Sequence, residues 1–464
     1  MLTMPKDRQQ TICADIFTGK RVLVIGLGKT GLSCVRFLAQ RGVDVAVTDT
    51  REKPAELENL RSQYPDVAVF VGGLSQEAID SADILLVSPG LSINTPQIAS
   101  ASASGKPVIG DIELFAQCTT KPVIAITGSN GKSTVTQLVG EMARISKRQV
   151  AVGGNIGVPV LDLVEQDDEF DLYVLELSSF QLETTHTLNP VAAVVLNVSE
   201  DHMDRYASYD EYAQAKRRIH QGDGIIIQNL DETYLETLLA DVDNDRKRIR
   251  FSIDPQNTQR DFGVAMLDGQ AWLAKDDNPL IPVDSLAIKG LHNVSNALAA
   301  LALGAAVGLP MPAMLEALQQ FTGLPHRTQW VVEIEGVNWF NDSKATNVGA
   351  TIAAVKGLSN YRLILIMGGQ GKNQDFSALA DVFADRVQHV FLLGVDAEQI
   401  ARVLGHHIAH THVDSMQQAV KQAHEMVRPG DAVLLSPACA SFDMFDGYEH
   451  RGRVFCDAVQ ELIS

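Results

Sequence analysis

The sequence predicts an α/β fold of three domains, each built on a mostly parallel sheet with crossover helices. Apolar strand-like runs alternate with helical periodicity almost throughout the chain. The length of 464 residues favours about three domains of ordinary size. Turn signals at residues 105–107 (Gly-Lys-Pro) and 323–325 (Gly-Leu-Pro) mark two boundaries. The predicted domains therefore span residues 1–110, 111–323 and 324–464.

The predicted elements follow this order along the chain. In the first domain, apolar runs predict strands at Val22–Ile25, Val43–Thr48, Ala68–Val71 and Ile84–Val87, with a helix between the first two that ends at Ala39. The second domain begins with strands at Val123–Ile126, Leu172–Leu175 and Val191–Leu196 and ends with helices at Asn293–Val307 and Met311–Phe321. The third has strands at Leu363–Met367, Val390–Leu393 and Ala432–Leu435. Residues 241–285 are charged and aperiodic, and irregular exposed structure is expected there.

Composition and charge restrict the classes of function. A formal net charge of −19 disfavours broad binding to nucleic acid or to an anionic membrane. The first 20 residues lack the apolar core of a signal peptide and are expected to be a polar extension, and no apolar run is long enough to span a bilayer. The cysteines are far apart and predict reduced thiols in a cytoplasmic protein: Cys13, Cys34, Cys118, Cys439 and Cys456.

A glycine-rich octet follows the strand at Val123–Ile126 and opens an amphipathic helix. It reads Thr127, Gly128, Ser129, Asn130, Gly131, Lys132, Ser133 and Thr134. Loop N–H groups, a lysine and a hydroxyl in this order suit a nucleotide polyphosphate and its Mg²⁺ ion. The octet lacks the first glycine of G-x-x-x-x-G-K-[ST], so it suggests a nucleotide enzyme and leaves the reaction open.

A second glycine-rich loop follows the first strand. Residues 26–31 fit G-x-G-x-x-G, and Asp49 ends the next strand. Three interpretations stay open: a dinucleotide site, a tight strand–helix turn without a ligand, and a site for another diphosphate such as a nucleotide sugar. Two diphosphate sites in separate domains suggest an ATP-type donor and a substrate that carries its own diphosphate.

Polar residues end two further strands of the second domain. Glu176 is placed where a Mg²⁺ ligand belongs, although an ordinary exposed acid is the alternative. His202 follows the next strand and is interpreted as a ligand rather than a structural polar residue. Lys216 lies on a helical face with Tyr212, and from its basic neighbours alone it would be assigned to a solvated face.

Several motifs in a fixed order together resemble the Mur ligase family of peptidoglycan precursor synthesis. They extend from residue 26 to about 453 and comprise Gly128–Thr134, Glu176–Ser179, Asn197–Arg205, Leu291–Asn296, Leu324–Arg327, Asp342–Asn347 and Ser436–Ser441. The resemblance implies a Rossmann-like first domain for a UDP-sugar, a central ATP-binding domain and a Rossmann-like third domain for an amino acid. The last two motifs resemble the branch of the family that adds D-glutamate.

The resemblance also implies the binding residues. The UDP-substrate site would comprise Gly28, Lys29, Thr30, Asp49, Thr50, Arg51, Ser88, Gly90 and Asn155. The ATP site would add Asn293, Asn296, Arg327 and Asp342 to the octet. The D-glutamate site would comprise Thr346, Lys372, Ser441, Phe442 and Tyr448, the last at a position where phenylalanine is expected.

The same resemblance implies metal ligands and catalytic groups. Two Mg²⁺ ions are expected, one near Ser133 and Glu176 and the other near His202 and a carbamylated Lys216. Lys132 and Lys344 are expected to face the phosphates. A carbamate would turn the Lys216 cation into an oxygen ligand for a hard metal.

The implied activity is ATP-dependent ligation of D-glutamate to UDP-N-acetylmuramoyl-L-alanine, with ADP as product, through an acyl phosphate and a tetrahedral intermediate. The expected partners are these small molecules alone, without nucleic acid or membrane insertion, and a cytoplasmic monomer is expected. The alternatives are another Mur ligase, a ligase like folylpolyglutamate synthase, an NAD(P) oxidoreductase and a non-enzymatic ATP-driven switch.

Overall fold

The computed structural model describes residues 17–463 except 241, 243, 244 and 359. Most of the expected polar extension, with Cys13, lies outside these residues. Within them the chain forms three sheets, two of which have an antiparallel edge. The predicted α/β class is therefore confirmed, while the boundaries at residues 110 and 323 stay predictions.

The first sheet is parallel and has the order β3-β2-β1-β4-β5. Its strands are β1 (Arg21–Ile25), β2 (Asp44–Asp49), β3 (Ala68–Val71), β4 (Ile84–Val87) and β5 (Val108–Ile109). The helices are α1 (Lys29–Ala39), α2 (Leu57–Gln63), α3 (Gln76–Ser81), α4 (Pro96–Ala103) and α5 (Asp111–Ala116). The strand order reverses between β1 and β4, which is where open α/β sheets bind ligands.

The central sheet has the order β14-β13-β12-β11-β10-β9-β6-β8-β7. Its strands are β6 (Val123–Thr127), β7 (Val150–Gly154), β8 (Leu172–Glu176), β9 (Ala192–Val195), β10 (Ile225–Asn229), β11 (Arg248–Ser252), β12 (Phe262–Leu267), β13 (Gln270–Lys275) and β14 (Asn278–Pro282). The helices are α6 (Lys132–Ile145), α7 (Val160–Val164), α8 (Ser179–Glu183), α9 (Tyr209–Arg217), α10 (Thr233–Leu238), α11 (Leu291–Ala306) and α12 (Met311–Gln320). Only the last two pairings are antiparallel among the named strands.

The third sheet has the order β15-β16-β20-β17-β18-β19, with β15 antiparallel at one edge. Its strands are β15 (Gln329–Ile334), β16 (Val337–Asn341), β17 (Arg362–Gly368), β18 (Val387–Leu393), β19 (His410–His412) and β20 (Asp431–Leu435). The helices are α13 (Val348–Gly357), α14 (Ala378–Phe383), α15 (Ala397–Leu404), α16 (Met416–Met426) and α17 (Tyr448–Gln460). Alternate residues of β17 enter two separate cores, so both faces of this sheet are covered.

The first and central domains share one apolar core. A single cluster of buried residues contains Val24 and Leu38 of the first domain together with Tyr173 and Val195 of the central sheet. Ion pairs flank it, including Arg36 with Asp162 at 2.8 Å. The first and central domains are therefore packed together through a continuous apolar core.

Two expectations about local structure are wrong. Residues 241–285 contain the strands β11 to β14, where irregular exposed structure was expected. The dipeptide Asp268-Gly269 is a sequence signal for a β-hairpin that the sequence analysis did not use. Its φ angles of 50° and 80° suit a two-residue turn. Cys118 is disulfide-bonded, whereas Cys34, Cys439 and Cys456 are free thiols. Wide spacing of cysteines along the sequence therefore did not exclude a disulfide bond.

In the described part of the chain, no helix combines the length and the apolar character needed to cross a bilayer.

Candidate functional site: a nucleotide loop between two domains

The octet forms a loop between β6 and α6 that leaves room for an anion. Gly128 and Gly131 have φ angles of 151° and 83°. A Cβ atom on Gly131 would overlap with Oδ1 of Asn296, and one on Gly128 would lie 3.1 Å from Cβ of Leu196. Glycine is therefore required at both positions, and the loop N–H groups can approach a phosphate closely.

The side chain of Lys132 folds over this loop. Its Nζ atom donates to the carbonyls of Gly128 and Ser129 at 2.7 and 2.8 Å. Burial lowers the pKa of Lys132, while Glu176 and Asp201 act in the opposite direction. The lysine is thus held at the place where a polyphosphate would need its charge.

The side chains of Ser133 and Glu176, the two proposed ligands of the first Mg²⁺ ion, are in direct contact. Ser133 Oγ donates to Glu176 Oε2 at 2.5 Å, and Asn155 Nδ2 donates to Glu176 Oε1 at 2.8 Å. Arg327, which comes from the third domain, donates to Ser133 Oγ at 2.6 Å. Asn155 was predicted to bind the UDP-substrate, whereas in the structure its side chain is hydrogen-bonded to Glu176.

His202 lies at the same edge of the central sheet, beside Asp201. Burial lowers the pKa of His202 to about 4, so a neutral ring nitrogen is available as a ligand. Asp201 forms an ion pair with Lys372 of the third domain at 3.1 Å. The predicted D-glutamate residue Lys372 is therefore held next to the predicted metal ligand His202.

Lys216 is buried, contrary to the assignment to a solvated face that its basic neighbours alone suggested. Only 1% of its surface is exposed, its Nζ atom donates to the Gly128 carbonyl at 3.0 Å, and it lies 4.3 Å from the centre of the Tyr212 ring. Burial, followed by the charge of Lys132, lowers the pKa of Lys216 well below its usual value. Helix α9 thus brings an amine to the nucleotide loop.

Oxygen ligands for one hard cation are present, and those for a second are incomplete. Among the described residues, no group of three or more His, Cys, Asp or Glu side chains could hold a metal ion. Ser133 and Glu176 nevertheless fit a Mg²⁺ ion that also takes phosphate oxygens and water. His202 and unmodified Lys216 offer nitrogen, which Mg²⁺ disfavours, so the second expected site fits only if Lys216 carries a carbamate.

The third domain contacts the loop through polar side chains. Asn130 and Asn347 exchange side-chain hydrogen bonds at 3.3 and 3.2 Å. Asn347 also caps α13 by accepting from the Ala350 N–H, and it donates to Asp201 at 3.2 Å. The nucleotide loop and the third domain are therefore in direct contact.

The remaining third-domain residues of the prediction follow the carboxyl ends of β16, β17 and β20. Lys344 Nζ lies 3.8 Å from the centre of the Tyr448 ring, and burial lowers its pKa to about 8. Asp342 accepts from Thr328 N–H and Ser436 Oγ, and burial raises its pKa to about 7.

The other predicted D-glutamate residues differ in exposure. Thr346 is half-buried and Ser441 is buried, whereas the side chain of Phe442 is 73% exposed. Of the two predicted adenine residues, Asn296 is buried against Gly131 and donates to Oδ1 of Asn293 at 3.0 Å. Asn293 therefore reaches the loop only through Asn296.

Apart from Asn155, the predicted UDP-substrate residues lie at the carboxyl ends of three strands of the first sheet. Gly28, Lys29 and Thr30 follow β1, Asp49, Thr50 and Arg51 end or follow β2, and Ser88 and Gly90 follow β4. Both carboxylate oxygens of Asp49 accept from Arg51, at 2.9 and 2.7 Å, and one also accepts from the Leu27 N–H. Asp49 is not free to hold a ribose, which disfavours the dinucleotide interpretation.

Several residues that lie at the site were not predicted from the sequence. Asn197 pairs with the backbone of Asn130, Tyr212 contacts Ser129 Oγ at 3.1 Å, and Asn347 and Asp201 join the two domains. Asn197, Asp201 and Asn347 lie inside motifs that the sequence analysis quoted, but nothing in their spacing predicts these long-range contacts.

Comparison with known proteins identifies the family. Three family models match in chain order: Mur ligase MurD-like N-terminal domain at residues 20–110, Mur ligase middle domain at 126–304, and Mur ligase glutamate ligase domain at 326–439. The UDP-N-acetylmuramoylalanine–D-glutamate ligase of Pseudomonas aeruginosa is 52% identical over 95% of this chain and 98% of its own. The chain belongs to the Mur ligase family. The enzyme of the same name from Nitrosococcus oceani is 50% identical over 95% of this chain and 97% of its own.

Solved structures of other Mur-type ligases share the three-domain architecture. A pseudomurein peptide ligase type C from Methanothermus fervidus has a TM-score of 0.62 and 18% identity, covering 96% of this chain and 100% of its own. The UDP-N-acetylmuramate–alanine ligase of Thermotoga maritima has a TM-score of 0.59 and 18% identity, with the same coverage. At these identities the likeness shows the fold alone.

Proposed function

We propose that this Mur ligase is an ATP-dependent, ADP-forming enzyme that joins D-glutamate to UDP-N-acetylmuramoyl-L-alanine in peptidoglycan synthesis. The observation that carries the proposal is the convergence of Lys132 on the nucleotide loop with Arg327, Lys344 and Lys372 of the third domain. Relatives about half identical over nearly the whole chain carry the name of this activity.

The chemistry requires activation of a carboxylate. An amide does not form directly from a carboxylate and an amine, because oxide is a poor leaving group. In the proposed reaction the substrate carboxylate attacks the γ-phosphorus of ATP, which releases ADP and forms an acyl phosphate. The amine of D-glutamate then attacks the acyl carbon, and phosphate leaves the tetrahedral intermediate as the amide forms.

The chain's own residues bind and orient the reactants. The N–H groups of residues 128–133 and the ammonium of Lys132 would stabilise charge on the transferred phosphoryl group, with Arg327 and Lys344 on its other side. Ser133 and Glu176 would hold one Mg²⁺ ion, and His202 with a carbamylated Lys216 would hold a second. Bound there, the metal ions would neutralise phosphate charge and polarise the acyl oxygen.

The D-glutamate site is proposed at the carboxyl ends of the third sheet. Lys372 supplies a cation beside Asp201, and Ser441 supplies a buried hydroxyl for a carboxylate. Thr346 and Tyr448 line the same edge, and Phe442 would complete the pocket only if the amino acid draws this exposed ring inward. The UDP-substrate would bind across the carboxyl ends of β1, β2 and β4.

The decisive experiment is phosphate release with ATP and UDP-N-acetylmuramoyl-L-alanine, comparing D-glutamate, L-glutamate, L-alanine and a diamino acid. We expect stimulation by D-glutamate alone. Equal stimulation by a diamino acid would indicate another branch of the family, and hydrolysis without any amino acid would indicate an ATP-driven switch. A nicotinamide fluorescence titration without signal would remove the oxidoreductase alternative.

We also propose that the enzyme is cytoplasmic, since its ATP and UDP-linked substrates are cytoplasmic metabolites, and that it is a monomer. Size-exclusion chromatography with light scattering tests the oligomeric state.

A further inference from the structure

One arginine of the central domain, Arg205, donates hydrogen bonds to a loop of the first domain. Arg205 Nη1 donates to the Pro89 carbonyl at 2.8 Å, and its Nη2 donates to the Leu91 carbonyl at 3.0 Å. The same Nη2 forms an ion pair with Glu183 at 3.0 Å. Only 13% of the Arg205 side chain is exposed, so this contact between domains is largely shielded from water.

The loop that Arg205 holds is the turn at residues 88–91. The Leu91 N–H donates to the Ser88 carbonyl at 3.0 Å, and the Ser88 N–H donates to the Ile25 carbonyl at 2.9 Å. A Cβ atom on Gly26 would lie 2.9 Å from Cβ of Ser88 and 3.1 Å from Cδ1 of Leu91. The turn therefore closes directly onto the glycine-rich loop that follows β1, where the UDP diphosphate is proposed to bind.

The face of the guanidinium packs on an aromatic ring beside His202. Its carbon lies 3.7 Å from the centre of the Phe180 ring. Phe180 in turn makes an edge contact with His202 at 4.8 Å between ring centres. The planar guanidinium of Arg205 thus contacts both the 88–91 turn and Phe180, the ring that lies against His202.

We propose that Arg205 is a positioning residue that holds the 88–91 turn in its binding conformation and so sets the affinity for the UDP-linked substrate. The inference rests on the proposed function. A guanidinium suits the role because its planar fork serves two carbonyls and a carboxylate while stacking on a ring, which a lysine ammonium cannot do together.

The test compares Arg205→Lys with Arg36→Lys. Arg36 also joins the first and central domains, through its ion pair with Asp162 at 2.8 Å, but it does not contact the 88–91 turn. Arg205→Lys is expected to raise KM for UDP-N-acetylmuramoyl-L-alanine about tenfold, the equivalent of one lost charge-assisted hydrogen bond. The KM values for ATP and D-glutamate are expected to stay within about twofold, as are all three values in Arg36→Lys.

Calorimetric binding of UDP-N-acetylmuramoyl-L-alanine without ATP separates this inference from the proposed function. If the wild-type protein does not bind the compound, the proposed function fails. If the wild type binds it and Arg205→Lys binds it equally well, the role of Arg205 is wrong. An equal rise of all three KM values, or the same loss in Arg36→Lys, would show a general effect of the domain contact and would also overturn the inference.

Should Arg205→Lys fail to fold, Glu183→Gln replaces it. That change keeps the shape of the side chain and removes the charge that orients Arg205. It is expected to raise KM for the UDP-substrate selectively, and an unchanged KM would count against the inference.

Discussion

Strained backbone conformations at single residues concentrate around the proposed site. Residues other than glycine rarely adopt positive φ angles, and such strain persists where surrounding structure holds it. Ten of the described residues have such angles, and six of these belong to the site or to the third-domain segments that carry its residues: His202 (59°), His326 (63°), Thr328 (43°), Lys372 (55°), Asn373 (58°) and Ala438 (57°). The other four, Lys147, Asp268, Asp276 and Glu335, lie in turns elsewhere. His326 and Thr328 flank Arg327, so the strained segment presents Arg327 to Ser133.

The proposed role of Lys216 depends on a carbamate, which the unmodified lysine side chain lacks. We expect Lys216→Ala to be inactive and a short-chain carboxylic acid to restore part of its activity, because the acid can occupy the place of a carbamate. Phosphate release measures both effects. Lys216→Met is the matched control, since its side chain fills the space and should prevent rescue; full activity of Lys216→Ala would contradict the proposal.

Tyr448 replaces the phenylalanine expected in the family, and its ring contacts Lys344. Tyr448→Phe should retain activity, whereas Tyr448→Leu should lower kcat/KM for ATP about 30-fold, because a shielded cation–π contact contributes about 2 kcal/mol. Lys344 has a pKa of about 8 and acts as a cation, so kcat/KM should fall as pH rises through this value. Removal of the ring should move the fall to lower pH. Identical pH profiles in Tyr448→Leu and wild type would exclude this role.

At the scale of elements, each phosphate-type site is a strand, a glycine turn and a helix. The turn after β1 is tight because a Cβ atom on Gly31 would overlap with the Gly26 carbonyl oxygen. Gly28 in the same turn has no heavy atom within 4 Å of a Cβ position. The spacing G-x-G-x-x-G therefore combines one glycine that packing requires with one that leaves the surface open to a ligand.

This difference predicts opposite outcomes for two matched substitutions. Gly31→Ala should destabilise the first domain by about 1–3 kcal/mol, since the turn must shift to admit a methyl group. Gly28→Ala should change stability by less than about 0.5 kcal/mol. Thermal unfolding of both variants checks the prediction, which fails if their midpoints fall equally.

At the scale of the whole molecule, the two domain interfaces differ in kind. The first and central domains share an apolar core, whereas hydrogen bonds and one ion pair join the nucleotide loop and its surroundings to the third domain. Water can replace polar contacts at little cost, but it cannot replace a buried apolar core. The third domain is therefore the one expected to move.

We predict that the third domain closes during turnover. Small-angle scattering should show a smaller radius of gyration when an ATP analogue and UDP-N-acetylmuramoyl-L-alanine are added together. Asn347→Ala, which removes contacts to Asn130 and Asp201, should enlarge the ligand-free protein. An unchanged radius in the presence of both ligands would contradict domain closure.

Local patterns were sufficient for most of the fold. Ala68–Val71 and Ile84–Val87 are strands with the predicted bounds, because short apolar runs between turn residues carry a local signal. The strands β12 to β14 were missed because they lack a regular alternation of apolar and polar residues; Met266 and Leu267 of β12, for example, are both exposed. The octet, Glu176 and His202 were predicted as site residues because each lies at or just beyond the end of a buried strand.

The sequence by itself determined the α/β class, the nucleotide loop and, through the order of its motifs, the resemblance to the Mur ligases. Strand periodicity and glycine spacing are local properties, so they can be read from neighbouring residues. Only the tertiary structure decided that Lys216 is buried against the nucleotide loop, that Asn347 reaches Asn130, and that Arg205 holds the turn at residues 88–91. Those contacts join positions far apart in the chain, and packing of the domains determines them.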